Sequence, residues 1–113
     1  MNEKEVKADI LRRLGQIKTI SAGSSEEGTA YLILQMFDVA KRRLSNKRAL
    51  ELVYVSNPNA PKGLRDVISR YVKDEISIGE AEKEIDRIKA LYERVLVEEY
   101  GLRLSRPFAV FIE

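Results

Sequence analysis

The sequence predicts a mainly α protein: a four- or five-helix bundle with a long C-terminal helix over about 78–100, followed by an extended or β C-terminal arm. Three observations predict it. Apolar residues recur at steps of three and four through most of the 113 residues. The stretches so marked are separated by Ser/Gly, Asn/Pro and Asp/Ser punctuation. The last stretch, after Pro107, changes to β-favouring residues. Residues 1–113 read as a single helical domain, with 102–113 as its arm, at a length where folding buries roughly 60–70% of the unfolded chain's surface.

The first helix runs from Glu3 to Ile17 on Val6, Ile10, Leu11, Leu14 and Ile17. Arg12, Arg13 and Lys18 gather toward its end, where cations complement exposed carbonyls. The run Ser21-Ala22-Gly23-Ser24-Ser25 breaks it, and Ser24 or Ser25 caps the next helix, with Glu26 and Glu27 in the first turn. That second helix, about Glu26 to Leu44, has Ala30, Ile33, Phe37, Ala40 and Leu44 on one face and Leu32, Met36 and Val39 beside it. Apolar over so much of its circumference, it is expected at the middle of the bundle.

Ser45 or Asn46 can start the next segment. Ala49–Val55 carries two signals: Val53, Tyr54 and Val55 favour a strand, whereas Lys47–Leu52 contains strong helix formers. The helical reading is preferred, as a short and fully buried turn or two. Asn57-Pro58-Asn59-Ala60-Pro61 ends it, and Pro61 suits the first turn of a fourth helix striped by Leu64, Val67, Ile68, Tyr71 and Val72. After a turn at 74–77, Ser77 and Glu80 form a capping box, the sharpest local signal in the chain. The last helix repeats Ile78, Ala81, Ile85, Ile88, Tyr92 and Val95 as a heptad-like seam widened by Leu91 and Leu96, and Gly101 stands where a left-handed cap belongs. Such a seam needs a long partner, in the same chain or in a second copy.

Composition narrows function. There is no cysteine, which removes disulfides, thiolate nucleophiles and thiolate metal sites and fits a reducing compartment. There is no histidine, the commonest metal ligand and the commonest general base near neutral pH. The charged fraction of 34% is high, with Lys+Arg 20 nearly balanced by Asp+Glu 18, a pattern resembling proteins from hot environments. The charged stretch Met1–Asp9 is unlike a secretory leader, and Ala30–Ala40, interrupted by Gln35 and Asp38, is too short to span a bilayer. Cytoplasmic residence without membrane association is therefore expected.

Four constellations invite a functional reading. Lys41, Arg42, Arg43, Lys47 and Arg48 form a basic cluster that Arg12 and Arg13 would join if the first two helices ran antiparallel. The set can neutralise phosphates, but as a solvated helix end it needs no ligand. The fourth and fifth helices suggest a helix–turn–helix, yet Glu80, Glu82 and Glu84 at the recognition helix's start would repel phosphate. Carboxylates four apart, Glu80 with Glu84 and Glu82 with Asp86, could mark a cation site. Interleaved cations, with Glu84–Arg87 and Arg94–Glu98 available as pairs, favour a solvated face. The arm carries Phe108, Val110 and Ile112 on one side and Ala109 and Phe111 on the other, and so needs cover on both, from its own domain or from another chain.

The stretch Glu75-Ile76-Ser77, with Glu80, Lys89 and Leu91 following, also resembles the short C-terminal oligomerisation modules called SHOCT domains, whose helical hairpins are thought to mediate association. It departs from them at Glu75, where that family has glycine, and at Ala81, where it has phenylalanine. No residue role is carried over.

The functional expectation is a non-enzymatic protein–protein interaction or assembly module, a homo-oligomer or a small subunit of a larger complex. Its expected partner-binding residues are Ile85, Ile88, Tyr92, Val95, Phe108, Val110 and Ile112. The alternative is a nucleic-acid-binding accessory protein using Arg12, Arg13, Lys41, Arg42, Arg43, Lys47 and Arg48. No catalytic residue, metal site or cofactor is assigned.

Overall fold

The computed structural model describes residues 2–20 and 26–100, with the side chains of 13–20, 26, 27, 29, 99 and 100 left undescribed. Its elements are α1 (Glu3–Ile20), α2 (Glu26–Arg42), α3 (Lys47–Leu50), a π-helical turn (Glu51–Val55), α4 (Lys62–Val72) and α5 (Ile78–Tyr100). The protein is a mainly α bundle, with no strand among the described residues. The expected arm, with Phe108, Val110, Phe111 and Ile112, lies outside the described residues, as do the Ser24/Ser25 cap and Gly101.

Each start and stop has a local cause. The Asn2 Oδ1 accepts the Glu5 N–H at 3.0 Å to open α1. Asn46 caps α3, its Oδ1 accepting the Ala49 N–H at 3.1 Å. At Asn57 the side chain accepts from the Asn59 N–H at 2.9 Å, an Asx turn that reverses the chain before Pro61. Pro61 sits one place earlier than expected, as the N-cap of α4 rather than within its first turn. α4 ends in a Schellman motif: the Glu75 N–H donates to the Arg70 carbonyl at 2.9 Å and the Asp74 N–H to the Tyr71 carbonyl at 3.1 Å. Asp74 takes the left-handed position with φ 61°, a place glycine usually fills. The capping box is present as the sequence implies, Glu80 N–H to Ser77 Oγ at 3.2 Å and Ser77 N–H to Glu80 Oε1 at 3.1 Å.

The 49–55 segment is helical, not a strand. It is not fully buried as expected: Leu50 and Tyr54 point inward, whereas Leu52 and Val53 face out. The β-branched residues sit in the wider π turn, and Leu50 and Tyr54 both lie in the core.

α5 is the axis of the core, packed against α1, α2 and α4. Over its length of about 35 Å, Ala81, Ile85, Ile88, Tyr92, Val95 and Leu96 are all buried. On α2, Ala30, Ile33, Leu34, Phe37 and Ala40 are buried in the same core, with the Phe37 and Tyr92 ring centroids 5.1 Å apart and tilted. Two ion pairs set α2 antiparallel to α5, Lys41 to Asp86 at 2.9 Å and Lys89 to Asp38 at 2.8 Å. No helix among the described residues is long and apolar enough to cross a membrane.

Candidate functional site

The residues proposed from sequence scatter rather than converge. Ile85, Ile88, Tyr92 and Val95, expected at a partner interface, are sealed within the chain's own core. The long partner that the seam demanded is supplied by α1, α2 and α4, so these four side chains offer nothing to a second protein. Phe108, Val110 and Ile112 lie outside the described residues.

The basic set divides as well. Arg12 pairs with Asp9 at 2.9 Å beside the start of α4, whereas Lys47 lies against Tyr71 and Asp74 at its end. Those ends are separated by about 15 Å of helix, so Arg12 does not join the 41–48 cluster. The Arg13 side chain is outside the described residues. Within the cluster two cations are already occupied. Lys41 chelates both oxygens of Asp86. Lys47 pairs with Asp74 and stands 4.9 Å over the Tyr71 ring. The hydrogen bonds to Asp86 and Asp74 hold the two ammonium groups above their ordinary pKa. Arg42, Arg43 and Arg48 are exposed, with no ion-pair partner among the described residues. On α5, Glu84 binds Arg87 through two bonds, at 2.8 and 3.2 Å, as expected, and these lower the Glu84 pKa. Arg94 reaches Glu3 at 3.4 Å instead of the expected Glu98.

Sequence reasoning missed one buried polar node. Asp9 is only 6% exposed. Its carboxylate accepts the Tyr92 hydroxyl at 2.5 Å, the Lys62 backbone N–H at 3.3 Å and the Arg12 guanidinium at 2.9 Å. It therefore caps α4 from another helix, where Pro61 provides no side-chain cap. One signal was available: Asp9 lies between Val6 and Ile10 on the stripe that must face inward. Beside it a cavity of about 460 Å³ is lined by Glu5, Ala8, Asp9, Arg12, Pro58, Lys62 and Arg65. Its charges are largely matched, Lys62 with Glu5 at 3.7 Å and Arg12 with Asp9. Arg65 Nε is buried without a hydrogen-bond partner, but a donor that solvent does not reach offers a ligand nothing.

The surface best shaped for recognition lies on the other side of α2. Leu32, Met36 and Val39, expected to be covered, are not: Leu32 is 60% exposed and the other two partly so. With Gln35 and Tyr54 they line a hollow of about 150 Å³. A second hollow, of about 280 Å³, continues it along Gly28, Tyr31, Leu32 and Gln35. Because the two share Leu32 and Gln35, they form one apolar groove along α2, with Tyr54 at its far end. Burial raises the Tyr54 phenol pKa, while the charges of Arg43 and Arg42 pull it down.

Comparison with known proteins found no matching family model, no similar curated protein and no similar solved structure.

Proposed function

We propose that this protein is a non-enzymatic interaction module whose α2 groove receives an apolar segment with an acidic end from a protein partner or from another copy. The supporting observation is the largely apolar lining of Tyr31, Leu32, Met36, Val39 and Tyr54 around Gln35, with the exposed Arg42 and Arg43 following where α2 ends. Apolar surface left in water forgoes roughly 25 cal/mol for each Å² a partner would cover, so a concave strip of this kind is a docking surface in waiting. A π turn at its wall agrees with the tendency of such turns to mark functional positions.

Panning a displayed peptide library on the full chain tests the proposal. Enriched peptides are expected to pair apolar anchors with an acidic flank and to lose at least tenfold in affinity on Leu32→Asp or Arg43→Glu. A library yielding no Leu32-dependent binder, from a protein that also stays monomeric in light scattering at every concentration, rejects it.

The nucleic-acid alternative rests on fewer charges than the sequence offered. With Lys41 and Lys47 engaged and Arg12 elsewhere, Arg42, Arg43 and Arg48 remain, and three phosphate contacts give only weak binding with a shallow salt dependence.

A further inference from the structure

We infer that the groove's occupant is the same face of α2 in a second copy, the two helices packed antiparallel about a two-fold axis near Gln35; this rests on the docking reading of the groove. The conformation of the occupant comes first. The groove is walled by side chains of α2 and by Tyr54 of the π turn, and no strand among the described residues offers a free edge beside it. An extended segment laid there would find no backbone to pair with, whereas a helix satisfies its own amides and carbonyls. The occupant is therefore a helix.

Charge comes second. Arg42 and Arg43 stand exposed where α2 ends, and they call for an acidic end on the incoming helix. α2 is itself such a helix. Its sequence opens with Glu26-Glu27, places Leu32, Met36 and Val39 on the open face, and closes on Lys41-Arg42 with Arg43 next. Laid antiparallel on its own copy, each basic end comes level with the other's acidic start. A parallel pair would set like charges together at both ends, so the order of charge along the helix selects one direction.

Register comes third. The two hollows overlap at Leu32 and Gln35, which puts the middle of the groove there. An antiparallel pair centred on Gln35 sets Tyr31 opposite Val39 of the other copy and Arg43 level with Glu27. Leu32, 60% exposed, then enters the other copy's hollow beside Met36 and Val39, the knob-into-hole contact of paired helices. Because the same residues serve on both sides, the contact is isologous and closes at two copies. From Gly28 to Val39 it runs about 16 Å along the helix, a small interface, so dissociation is expected in roughly the micromolar range.

Sedimentation equilibrium of the full chain is expected to show monomer passing to dimer as concentration rises, and Leu32→Asp to weaken the dimer at least tenfold while circular dichroism stays that of the parent. Arg43→Glu and Glu27→Arg should each weaken it, and the two combined in one chain should restore it, because only an antiparallel pair brings those positions together. The chain has no cysteine, so Gln35→Cys reports the axis directly. It is expected to oxidise to a disulfide-linked dimer, which requires Cα atoms within about 7 Å, whereas Val97→Cys, exposed on α5, should not. A dimer indifferent to Leu32→Asp, a double charge variant no tighter than either single one, or equal cross-linking at 35 and 97 would overturn the inference. A monomer at every concentration overturns it too. If that monomer still captures Leu32-dependent peptides, the second copy alone is rejected; if it captures none, the docking reading falls with it.

Discussion

The two apolar faces of α2 are alike in composition and opposite in fate. Ile33, Leu34, Phe37 and Ala40 are shut inside the core, while Leu32, Met36 and Val39, a fraction of a turn away, line an open groove. Hydrophobic period marks both faces equally, because it reports what prefers to leave water and not what is available to cover it. The inner face holds the fold together and the outer face is left for something else.

The comparison breaks first at Phe37. Phe37→Ala removes a fully buried ring packed on Tyr92 and is expected to cost about 3–5 kcal/mol in chemical denaturation. A loss below about 1 kcal/mol would mean that the inner face is not the core.

Tyr92→Phe asks whether the inner face depends on its polar stitch as well as on its packing. The ring stays, but Asp9 loses a buried hydroxyl donor, and a loss of about 2 kcal/mol is expected. An unchanged denaturation midpoint would show that Asp9 is satisfied without the Tyr92 hydroxyl.

Ser77→Ala serves as a reference that belongs to neither face, with an expected cost of about 1 kcal/mol. It carries a pH signature. Hydrogen bonds from the Ser77 amide and hydroxyl hold Glu80 below the usual carboxylate range of about 4.5. A folded pKa below the unfolded one contributes stability above the unfolded value, and that contribution fades as pH falls through the folded one. The gap between parent and variant should therefore narrow in acid. A gap independent of pH would show that the hydroxyl does not act on the carboxylate, whose bond to the residue-77 amide is kept in both proteins.

Leu32→Ser should have the smallest effect, no more than about 1 kcal/mol, since anything docked on the outer face can let go without unfolding the bundle. A cost comparable to that of Phe37→Ala would erase the distinction between the faces.

How much was legible in the chain follows the range of each interaction. The Ser77–Glu80 box, the Glu84–Arg87 pair and the Asn46 start are settled within a few residues, and all were readable. The 49–55 segment was readable as helix only against its β-branched residues, and its π geometry was not, since no local signal in the sequence specifies a π turn. The seam of α5 was readable as a buried stripe, but its covering by this chain's own helices was not. Asp9 escaped because its partners, Tyr92 and the Lys62 amide, are distant in sequence.

By itself, the sequence determined the helices, most of their ends, and which residues avoid water, because propensity, capping and period act within a turn or two of backbone. Only the tertiary structure decided that Ile85 and Ile88 face inward against their own chain, that Arg12 stands apart from Arg43, and that the Leu32 face stays open. Those outcomes depend on which helices come to lie side by side, and a one-dimensional pattern carries no information about its neighbours in space.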